Sequence, residues 1–425
     1  MNLLSSRTEE IINLSGAASV VSGSSSQSGY APRMFLFSSG VDFNPSRYYA
    51  DAITALIEYG ERLTARGTET VEIRPVSFAF NSEKPVTFLF GRKPNVVGAL
   101  AEAIWVLAGR GDFKWISKFN SNLGNYLDNW GDGEFNAPYG HRIRRSGYHP
   151  KNRQEEGRDQ LLDVVKRISK DNFTREAVIT LWNPLYDSSE NISKDFPCND
   201  LIMFKYRNKV LDMTVINRSN DIHWGLFGVN IYQFSIIHRF VSMMLGMKLG
   251  TYFHYTDSLH YYVENEISKG MLGLAHGRNL HFLDLYSVYS APEVYAKDMY
   301  LFQPKGDMDS FELFNREVSL LIYLFDNDKI PEAIQANNFE IGFFKECFHL
   351  FVSYLMAKDN VHEALKYSVQ NCNMLDYLIS YYGFLYRKSK RSNSFLCEIK
   401  AALLHKRPDL VSGYDNGVTS YIENG

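Results

Sequence analysis

The chain has 425 residues, a formal net charge of −3 and 22% charged residues. That length exceeds one compact unit, so two domains with a tail are expected. The small net charge provides no overall field that would recruit DNA or an anionic membrane, so neither a nucleic acid nor a membrane is expected as a partner. No run reaches the roughly 18 apolar residues of a membrane helix, and charged residues precede any apolar run at the N-terminus. We therefore expect a cytoplasmic protein.

Helix and strand patterns alternate in the first part of the chain. Residues 1–45 are expected to form an N-terminal segment that is partly flexible, because residues 15–29 are rich in Ser and Gly. Apolar side chains at helical spacing predict a helix over Tyr48–Arg66, and alternating apolar side chains predict strands within Thr70–Phe80. A nearly continuous apolar run predicts a buried helix over Asn95–Leu107.

A hairpin is predicted in the middle of the chain. Its strands cover Leu201–Arg207 and Val210–Arg218, and Asn208-Lys209 forms the turn between them. A strand pattern over Ala177–Trp182 precedes the hairpin, and an apolar helix is predicted over Asn230–Leu249. These elements predict an α/β (α+β) fold in which helices flank a large mixed sheet. The sequence has neither a dinucleotide-binding glycine motif after a strand nor a P-loop. These absences argue against a dinucleotide-binding fold and against a nucleoside-triphosphate-binding fold.

The sequence pattern changes after about residue 305. Aromatic residues recur there at helical spacing, for example Phe344, Phe348 and Phe351. Residues 305–425 are therefore predicted to form an α-helical domain, and no group of reactive side chains stands out in it. The basic residues 387–391 are interpreted as a solvated helix end, with a nucleic-acid contact as the alternative.

Cys198 and Arg218 are the most informative pair in the sequence. A lone cysteine is more often a buried apolar residue than a nucleophile. The predicted hairpin, however, brings Cys198 close to Arg218, and a nearby guanidinium favours the thiolate. Arg218 and Ser219 also suit a phosphate group, so the arrangement fits a nucleophile directed at a phosphorylated pyrimidine. Four cysteines without CxxC or Cys/His spacing predict neither a metal site nor a disulfide framework.

Around this pair, residues 46–265 resemble the thymidylate synthase superfamily, which includes the pyrimidine nucleotide hydroxymethylases. Each short motif alone is weak evidence, but nine of them occur in matching order and spacing. The divergent, phage-associated branch is the most similar, through the motif at residues 218–230 and the helical extension. The nine motifs are Arg66-Gly67-Thr68, Glu102-Ala103-Ile104-Trp105, Trp130-Gly131-Asp132, Tyr139-Gly140-x-Arg142, Thr174-Arg175, Pro197-Cys198, Arg218-Ser219-Asn220-Asp221, Gly225–Asn230 and Asp257–Tyr262.

The resemblance implies a catalytic domain over residues 46–290 with a large bent mixed sheet, in a homodimer that shares its active sites. It implies that Cys198 attacks C6 of a pyrimidine nucleoside monophosphate, and that C5 receives a one-carbon unit from 5,10-methylenetetrahydrofolate. Glu102 would order water and relay protons, with Tyr139 near the C5 proton. Asn199 stands beside the nucleophile where thymidylate synthases usually have His.

The same resemblance implies the contacts of the substrate and of the folate. The phosphate would be bound by arginines and a serine, including one arginine from the neighbouring subunit. Other side chains would contact the pyrimidine edge, the base, the sugar hydroxyl and the folate. The implied residues are Arg66, Arg218 and Ser219 with Arg175 of the neighbouring subunit for the phosphate, Asn230 for the pyrimidine edge, Asp221 for the base, His260 and Tyr262 for the sugar, and Trp130 for the folate.

Two products remain open, 5-hydroxymethyl if water adds to the C5 methylene and 5-methyl if the folate delivers hydride. Hydride transfer needs a dry, closed site, and the closing C-terminal segment of the synthases is not recognisable. Hydroxymethylation of dUMP is therefore favoured over thymidylate synthesis. Asn230 favours uracil over cytosine, although one extra residue after Gly225 leaves Val229 as the alternative at that position.

A catalytically retired relative that binds a nucleotide or a nucleic acid is the alternative from another class. Cys198, Glu102 and His260 argue against it, because a retired site would be free to lose such costly groups. If a phage encodes the chain, the enzyme is expected in the cytoplasm of the host.

Overall fold

The computed structural model describes residues 10–13, 18–22, 33–38, 44–88, 91–128, 133–146, 157–188, 192–276, 308–326, 339–406 and 415–424. These residues form two β-sheets with helices packed against them, which confirms the predicted α/β (α+β) class. Within these ranges, no helix combines the length and the apolar composition needed to cross a bilayer.

Eight strands form the larger sheet and four form the smaller one. The larger sheet contains β1 (Glu10–Asn13), β2 (Ala18–Ser22), β3 (Arg33–Phe37), β6 (Val76–Phe80), β7 (Val178–Thr180), β8 (Asn199–Arg207), β9 (Val210–Asn217) and β11 (Lys248–Thr256). Its order is β1-β2-β3-β6-β11-β9-β8-β7, and it is mixed because β3 pairs in parallel with β6, as β9 does with β11. The smaller sheet contains β4 (Glu61–Ala65), β5 (Thr68–Ile73), β10 (Asn220–Asp221) and β12 (Leu259–Tyr262), in the order β10-β12-β5-β4.

Helices cover the sheets and make up the C-terminal region. The described helices are α1 (Pro45–Tyr59), α2 (Val96–Leu107), α3 (Phe113–Ile116), α4 (Tyr139–Arg144), α5 (Gln160–Lys170), α6 (Ile231–Met244), α7 (Glu266–His276), α8 (Met308–Asp326), α9 (Gly342–Met356), α10 (Val361–Asn371), α11 (Leu375–Lys388), α12 (Asn393–Lys406) and α13 (Asp415–Asn424). A 3₁₀ helix covers Ser121–Tyr126, and a π-helix covers Ile222–Asn230.

The predicted hairpin around residues 208–209 is confirmed. β8 and β9 pair in antiparallel fashion, with Arg207 opposite Val210. Asn208 and Lys209 have φ values of 51° and 65°, the double positive φ of a type I′ turn. This turn matches the right-handed twist of the two strands, so it sets the register that brings Cys198 and Arg218 to the same end of the hairpin.

The helix predicted over Tyr48–Arg66 is wrong beyond Tyr59. Gly60 follows the helix with an extended backbone, and the next residues pair as β4 with β5. Arg66 and Gly67 have φ values of 50° and 77° and form the turn between these strands. Strand pairing therefore outweighs the helical spacing of the apolar residues in this segment.

The helix predicted over Asn230–Leu249 is too long, because α6 begins at Ile231 and ends at Met244. Gly246 has a φ of 61°, which turns the chain out of the helix. The following residues form β11, which lies between β6 and β9 in the larger sheet. Central strands and buried helices are both strongly apolar, so the sequence pattern did not mark the boundary.

The N-terminal segment contributes to the larger sheet. β2 lies within the Ser/Gly-rich residues 15–29, whose composition predicts flexibility, and β1 and β3 pair with it on its two sides. Backbone hydrogen bonds therefore hold part of this stretch in an extended conformation. The prediction of a separate segment over residues 1–45 is otherwise not tested by the structure.

The helices predicted after residue 305 are confirmed by α8–α13. They pack on the preceding region through aromatic contacts, such as Phe119 with Phe351 and Phe240 with Phe314, whose ring centroids lie 4.7 and 4.0 Å apart. The apolar core is continuous across both regions. Every residue of α2 is buried as a result. The division into domains at residues 46–290 and 305–425 stays a prediction.

Candidate active site

A cleft of about 830 Å³ lies where the ends of β8 and β9, the smaller sheet, α2 and the π-helix meet. Its size is within the range of small-molecule sites. Most of the predicted site residues lie on its walls, although they come from widely separated parts of the sequence. The predicted residues that line the cleft are Arg66, Glu102, Tyr139, Cys198, Arg218, Ser219, Asp221, Asn230, His260 and Tyr262.

Cys198 and Arg218 are in contact at one end of the cleft. The Arg218 Nη2 lies 3.8 Å from the Cys198 Sγ, and its Nε donates to the carbonyl of Pro197 at 2.8 Å. The backbone N–H of Arg218 also donates to the carbonyl of Cys198 at 3.0 Å. Trp182, which the sequence did not indicate, stacks against the guanidinium, with 5.9 Å from the Arg218 Cζ to the ring centroid. The guanidinium is thus fixed beside the thiol.

Opposing effects act on the Cys198 thiol. Burial raises its pKa above the usual value, while the positive charges of Arg218 and Arg66 lower it. The net shift is upward, so the thiol is mostly protonated at neutral pH in the free protein. The arginines reduce the free energy needed to form the thiolate, as the sequence indicated, without making it the dominant form.

Tyr139 is held behind the nucleophile by Asn199. The Asn199 Nδ2 donates to the Tyr139 Oη at 2.6 Å, and the backbone N–H groups of Cys198 and Asn199 point to the same oxygen at 3.2 and 3.4 Å. Burial raises the pKa of Tyr139 far above its usual range. A neutral phenol whose lone pairs are occupied can still donate its own proton. Tyr139 is therefore a hydrogen-bond donor, and Asn199 supports it without lining the cleft itself.

An ion pair fixes the helix that carries Tyr139. Arg142 is on the same short helix, and its Nη1 and Nη2 each lie 2.9 Å from a carboxylate oxygen of Asp187. Both side chains are buried, and the geometry is bidentate. This contact joins α4 to the loop after β7, and so it fixes the position of Tyr139 relative to Cys198.

Glu102 is a buried carboxyl group on the wall of the cleft. Its Oε1 accepts a hydrogen bond from the Gln233 Nε2 at 2.8 Å, and its Oε2 has no protein partner among the described residues. Burial raises the pKa of Glu102 to about 7, and the bond from Gln233 opposes the rise. A carboxyl group with a pKa near the working pH is suited to proton transfer. Nothing in the sequence pattern indicated Gln233, which lies on α6 more than a hundred residues away.

The groups predicted to bind phosphate and sugar lie around Cys198. Ser219 follows Arg218, and its Oγ is 3.4 Å from the His260 Nδ1. Burial and the charge of Arg218 lower the pKa of His260 to about 4, so its imidazole is neutral. Arg66 is exposed at the tip of the β4–β5 hairpin, and Tyr262 packs edge-on against His260 at 5.2 Å between ring centroids.

A π-helix covers the stretch after Gly225 in which the sequence indicated one extra residue. A π-helix contains one more residue in a turn than an α-helix, which absorbs an insertion without displacing the flanking residues. Asp221 caps its start by accepting from the backbone N–H groups of Trp224 and Gly225, and burial raises the Asp221 pKa to about 6. Asn230 ends the π-helix on the cleft wall and is buried, beside Val229.

Two predicted residues do not line the cleft, and a third lies outside the described residues. Arg175 is exposed and does not line the cleft of its own chain. Asn199 acts on Tyr139, as described above. Trp130 lies outside the described residues. Aromatic side chains on the cleft wall that suit a flat ring are Trp105, Tyr126 and Trp224. Over the ranges that the structure describes, no group of three or more His, Cys, Asp or Glu side chains is arranged to hold a metal ion.

Comparison with known proteins identifies the family of the chain. Residues 47–280, just over half of the chain, match the family model described as "Thymidylate synthase". The chain therefore belongs to the thymidylate synthase family, as the motifs indicated.

Among its relatives are two phage proteins and one bacterial protein. The chain is 43% identical over 246 residues to "Deoxyuridylate hydroxymethyltransferase" of Bacillus phage SP01, covering 56% of this chain and 61% of the relative. It is 32% identical over 197 residues to the protein of the same name from Pseudomonas phage M6, covering 46% and 50%. It is 25% identical over 227 residues to "Thymidylate synthase" of Buchnera aphidicola subsp. Schizaphis graminum (strain Sg), covering 52% and 82%. The chain thus matches between half and about three fifths of the length of the two phage relatives.

Proposed function

We propose that this protein transfers a one-carbon unit from 5,10-methylenetetrahydrofolate to C5 of dUMP and releases 5-hydroxymethyl-dUMP. The observation that carries the proposal is the pairing, in one cleft, of the Cys198 thiol beside Arg218 with the buried carboxyl group of Glu102. A nucleophile, a cation beside it and a proton carrier with a pKa of about 7 are what this reaction requires. The names of the phage relatives support dUMP as substrate and the host cytoplasm as location.

Cys198 begins the proposed reaction by bonding to C6 of the uracil ring as a thiolate. The electron pair of the C5–C6 double bond moves towards O4, so C5 becomes a carbon nucleophile. Arg218 stabilises the thiolate before the attack and also binds the phosphate. Methylenetetrahydrofolate supplies the one-carbon unit at the oxidation level of formaldehyde. Trp105, Tyr126 and Trp224 would hold its flat ring in the cleft.

Glu102 acts in the second half of the proposed reaction. After C5 has bonded to the carbon unit, its proton passes to water and the bond between the carbon unit and the folate nitrogen breaks. The nucleotide then carries an exocyclic methylene and is still bonded to Cys198. Water adds to this methylene, and the proton of the water passes to the Glu102 carboxylate. The ring electrons then expel the Cys198 thiolate and restore the C5–C6 double bond. No net oxidation or reduction occurs, so the folate returns as tetrahydrofolate.

The exposed position of Arg175 supports a homodimer with shared sites. Arg175 does not line the cleft of its own chain, so a phosphate contact requires a second copy. Phe173 and Val178, which flank it in sequence, are 67% and 39% exposed. A subunit contact over this surface would bury both of these apolar side chains. We therefore propose that each cleft receives Arg175 from the partner subunit.

Mixing two inactive variants tests this shared site. Cys198→Ala and Arg175→Ala are each expected to lose most activity as homodimers. Equal amounts, unfolded and refolded together, should recover about a quarter of wild-type activity, because half of the dimers contain one intact site. Refolding each variant alone is the control. No recovery on mixing, with dimers present by light scattering, would contradict the exchange of Arg175.

The names of the phage relatives support water addition over hydride transfer. No described residue beyond Ile267 lines it, and α13 packs elsewhere, with Tyr421 buried against Phe88 at 5.5 Å between ring centroids. Hydride transfer requires that water be excluded from the reacting methylene. Of the described residues, those of α13 do not provide this exclusion of water, which is compatible with the hydroxymethyl product.

Product analysis tests the proposed function directly. The purified protein is incubated with methylenetetrahydrofolate and one of dUMP, dCMP, UMP or CMP, and the products are identified by mass spectrometry. We expect 5-hydroxymethyl-dUMP without absorbance from dihydrofolate. A 5-methyl product with stoichiometric dihydrofolate would show thymidylate synthesis instead. Absence of any product from all four nucleotides would refute the proposed reaction.

A further inference from the structure

The π-helix over Ile222–Asn230 forms one wall of the cleft. The backbone N–H that follows it, that of Ile231, donates to the carbonyl of Leu226, five residues earlier, which is the hydrogen-bond spacing of a π-helix. Helices of this kind are rare and often occur at functional sites. What holds this helix therefore determines the shape of the wall. Its residues that line the cleft are His223, Trp224, Gly225, Val229 and Asn230.

Arg92 contacts the π-helix directly, although it does not line the cleft itself. Its Nη2 donates to the carbonyls of His223 and Phe227, at 2.9 and 2.7 Å. These two residues are four positions apart, so a single nitrogen of the guanidinium bridges successive turns of the helix. Gly228 packs closely at the same place, since a Cβ on it would lie 2.7 Å from the His223 carbonyl oxygen and 3.7 Å from the Arg92 Nη2. Arg92 thus fixes the spacing of the two turns.

Tyr49 of α1 contacts the same two residues of the π-helix. Its ring stacks on that of Phe227, with 4.9 Å between the centroids, and its hydroxyl contacts the His223 Nδ1. The Arg92 Cζ lies 5.0 Å from the centroid of the Tyr49 ring. All four side chains are at most 5% exposed. They therefore form one buried cluster behind the wall of the cleft.

The Arg92 guanidinium is buried without a carboxylate partner. Over the part of the chain that the structure describes, no Asp or Glu forms an ion pair with it. The Thr87 Oγ1 accepts from its Nη1 at 2.5 Å, and the two helix carbonyls accept from its Nη2. Burial of a charge is costly unless its donors are satisfied. The helix carbonyls are thus a main part of what stabilises this charge, and the charge in turn holds the helix.

We propose that Arg92 is a positioning residue that holds the π-helix, and through it Asp221 and Asn230, in the arrangement that binds the nucleotide. The inference rests on the proposed function, in which the cleft binds dUMP. Asp221 caps the start of the helix and Asn230 ends it, and both line the cleft. Loss of the bridge between the turns should change their relative positions. Cys198 and Arg218 are held by the β8–β9 hairpin and should stay in place.

Arg92→Met tests this role, because methionine is an apolar side chain of similar length that donates no hydrogen bond. We expect the Kd for dUMP, measured by calorimetry, to rise by about 10- to 100-fold, since two contacts from a charged donor are lost. Alkylation of Cys198 by iodoacetamide should keep its wild-type rate. Arg92→Lys should restore part of the binding, because an ammonium group has three donors and can reach both carbonyls. A role in stability alone would lower Tm and leave the Kd of the folded protein unchanged.

Gly228→Ala changes the same contact from the side of the helix. The new Cβ would lie 2.7 Å from the His223 carbonyl oxygen, so the turn that Arg92 bridges has to open. The Kd for dUMP should rise, as in Arg92→Met. Gly270→Ala on α7 is the matched control, since nothing lies within 4 Å of the position of its Cβ. It should bind dUMP as the wild type does.

The outcomes separate this inference from the proposed function. A wild-type protein that converts none of the nucleotides refutes both. If the wild type converts dUMP and both Arg92→Met and Gly228→Ala bind it with the wild-type Kd, only the role of Arg92 is refuted. Equal weakening in Arg92→Lys and Arg92→Met, or faster alkylation of Cys198 in Arg92→Met, would also overturn the inference. If Arg92→Met does not fold, a wild-type Kd in Gly228→Ala overturns it.

Discussion

Cys198→Ala is expected to lower kcat by at least about 10³-fold, because removal of a covalent nucleophile leaves only the contributions of binding and electrostatics. Binding of dUMP should change little, since Arg218, Ser219 and Asn230 line the cleft independently of the thiol. Release of tritium from [5-³H]-dUMP in the presence of methylenetetrahydrofolate measures the chemical step, and calorimetry measures the binding of dUMP.

The other cysteines provide the matched control. Cys397 is exposed on α12, and Cys397→Ala should keep wild-type tritium release. Cys372 is buried among the C-terminal helices, so Cys372→Ala should lower stability without a specific loss of kcat. Tritium release from Cys198→Ala at the wild-type rate would rule out this cysteine as the nucleophile.

The pH dependence of alkylation follows from the raised pKa of Cys198. The thiolate is the reactive form, so alkylation of Cys198 by iodoacetamide should accelerate steadily as the pH rises above 7. Because the charge of Arg218 lowers this pKa, Arg218→Ala should move the acceleration to still higher pH. Mass spectrometry of the tryptic peptide distinguishes alkylation of Cys198 from that of the exposed Cys397.

The sequence predicted those parts of the site that depend on local signals. A two-residue turn between two apolar strands is such a signal, and it is sufficient to place Cys198 next to Arg218. The helix carrying Glu102 is equally clear, because its apolar run is continuous and an Asn precedes it as the N-cap. In both cases the residues that determine the local conformation lie within a few positions of each other.

The parts that the sequence did not predict depend on long-range pairing. Gln233 reaches Glu102 only because α2 packs against α6. The bond from Asn220 to His254 joins β10 of the smaller sheet to β11 of the larger one. The boundaries of α1 and α6 were missed for the same reason, since strand pairing decides where each helix ends.

Glu102→Gln is expected to lower kcat by about 10²- to 10³-fold, because glutamine keeps the shape but cannot accept a proton from water. In the wild type, kcat should rise with pH through about 7 as the carboxyl group ionises. The part of this rise centred near pH 7 should be absent in Glu102→Gln, whereas the increase at higher pH that comes from ionisation of Cys198 should remain. Gln233→Ala removes the hydrogen bond that lowers the Glu102 pKa, so the rise should move to higher pH. Steady-state rates over a range of pH on both sides of neutrality test these statements.

Stability gives an independent measure of the same pKa. A carboxyl group whose pKa is about 7 in the folded chain and about 4.3 when unfolded binds its proton more tightly in the folded state. Its stabilising contribution is complete below about pH 4.3 and is lost as the pH rises through about 7. Glu102→Gln stays neutral throughout, so its Tm relative to wild type should be higher above neutral pH than in mild acid. A pH-independent difference in Tm would contradict the raised pKa.

Glu346→Gln separates the chemistry of Glu102 from the general effect of a buried carboxyl group. Glu346 is also buried and its pKa is also raised by burial, but it lies on α9 and bonds to Asn373 far along the chain from the cleft. Its replacement should change the pH dependence of Tm and leave that of kcat intact. If Glu346→Gln lowered kcat as much as Glu102→Gln does, both losses would result from a general effect on the fold. A loss confined to Glu102→Gln places the proton transfer on Glu102, because of these two carboxyl groups only that of Glu102 lines the cleft.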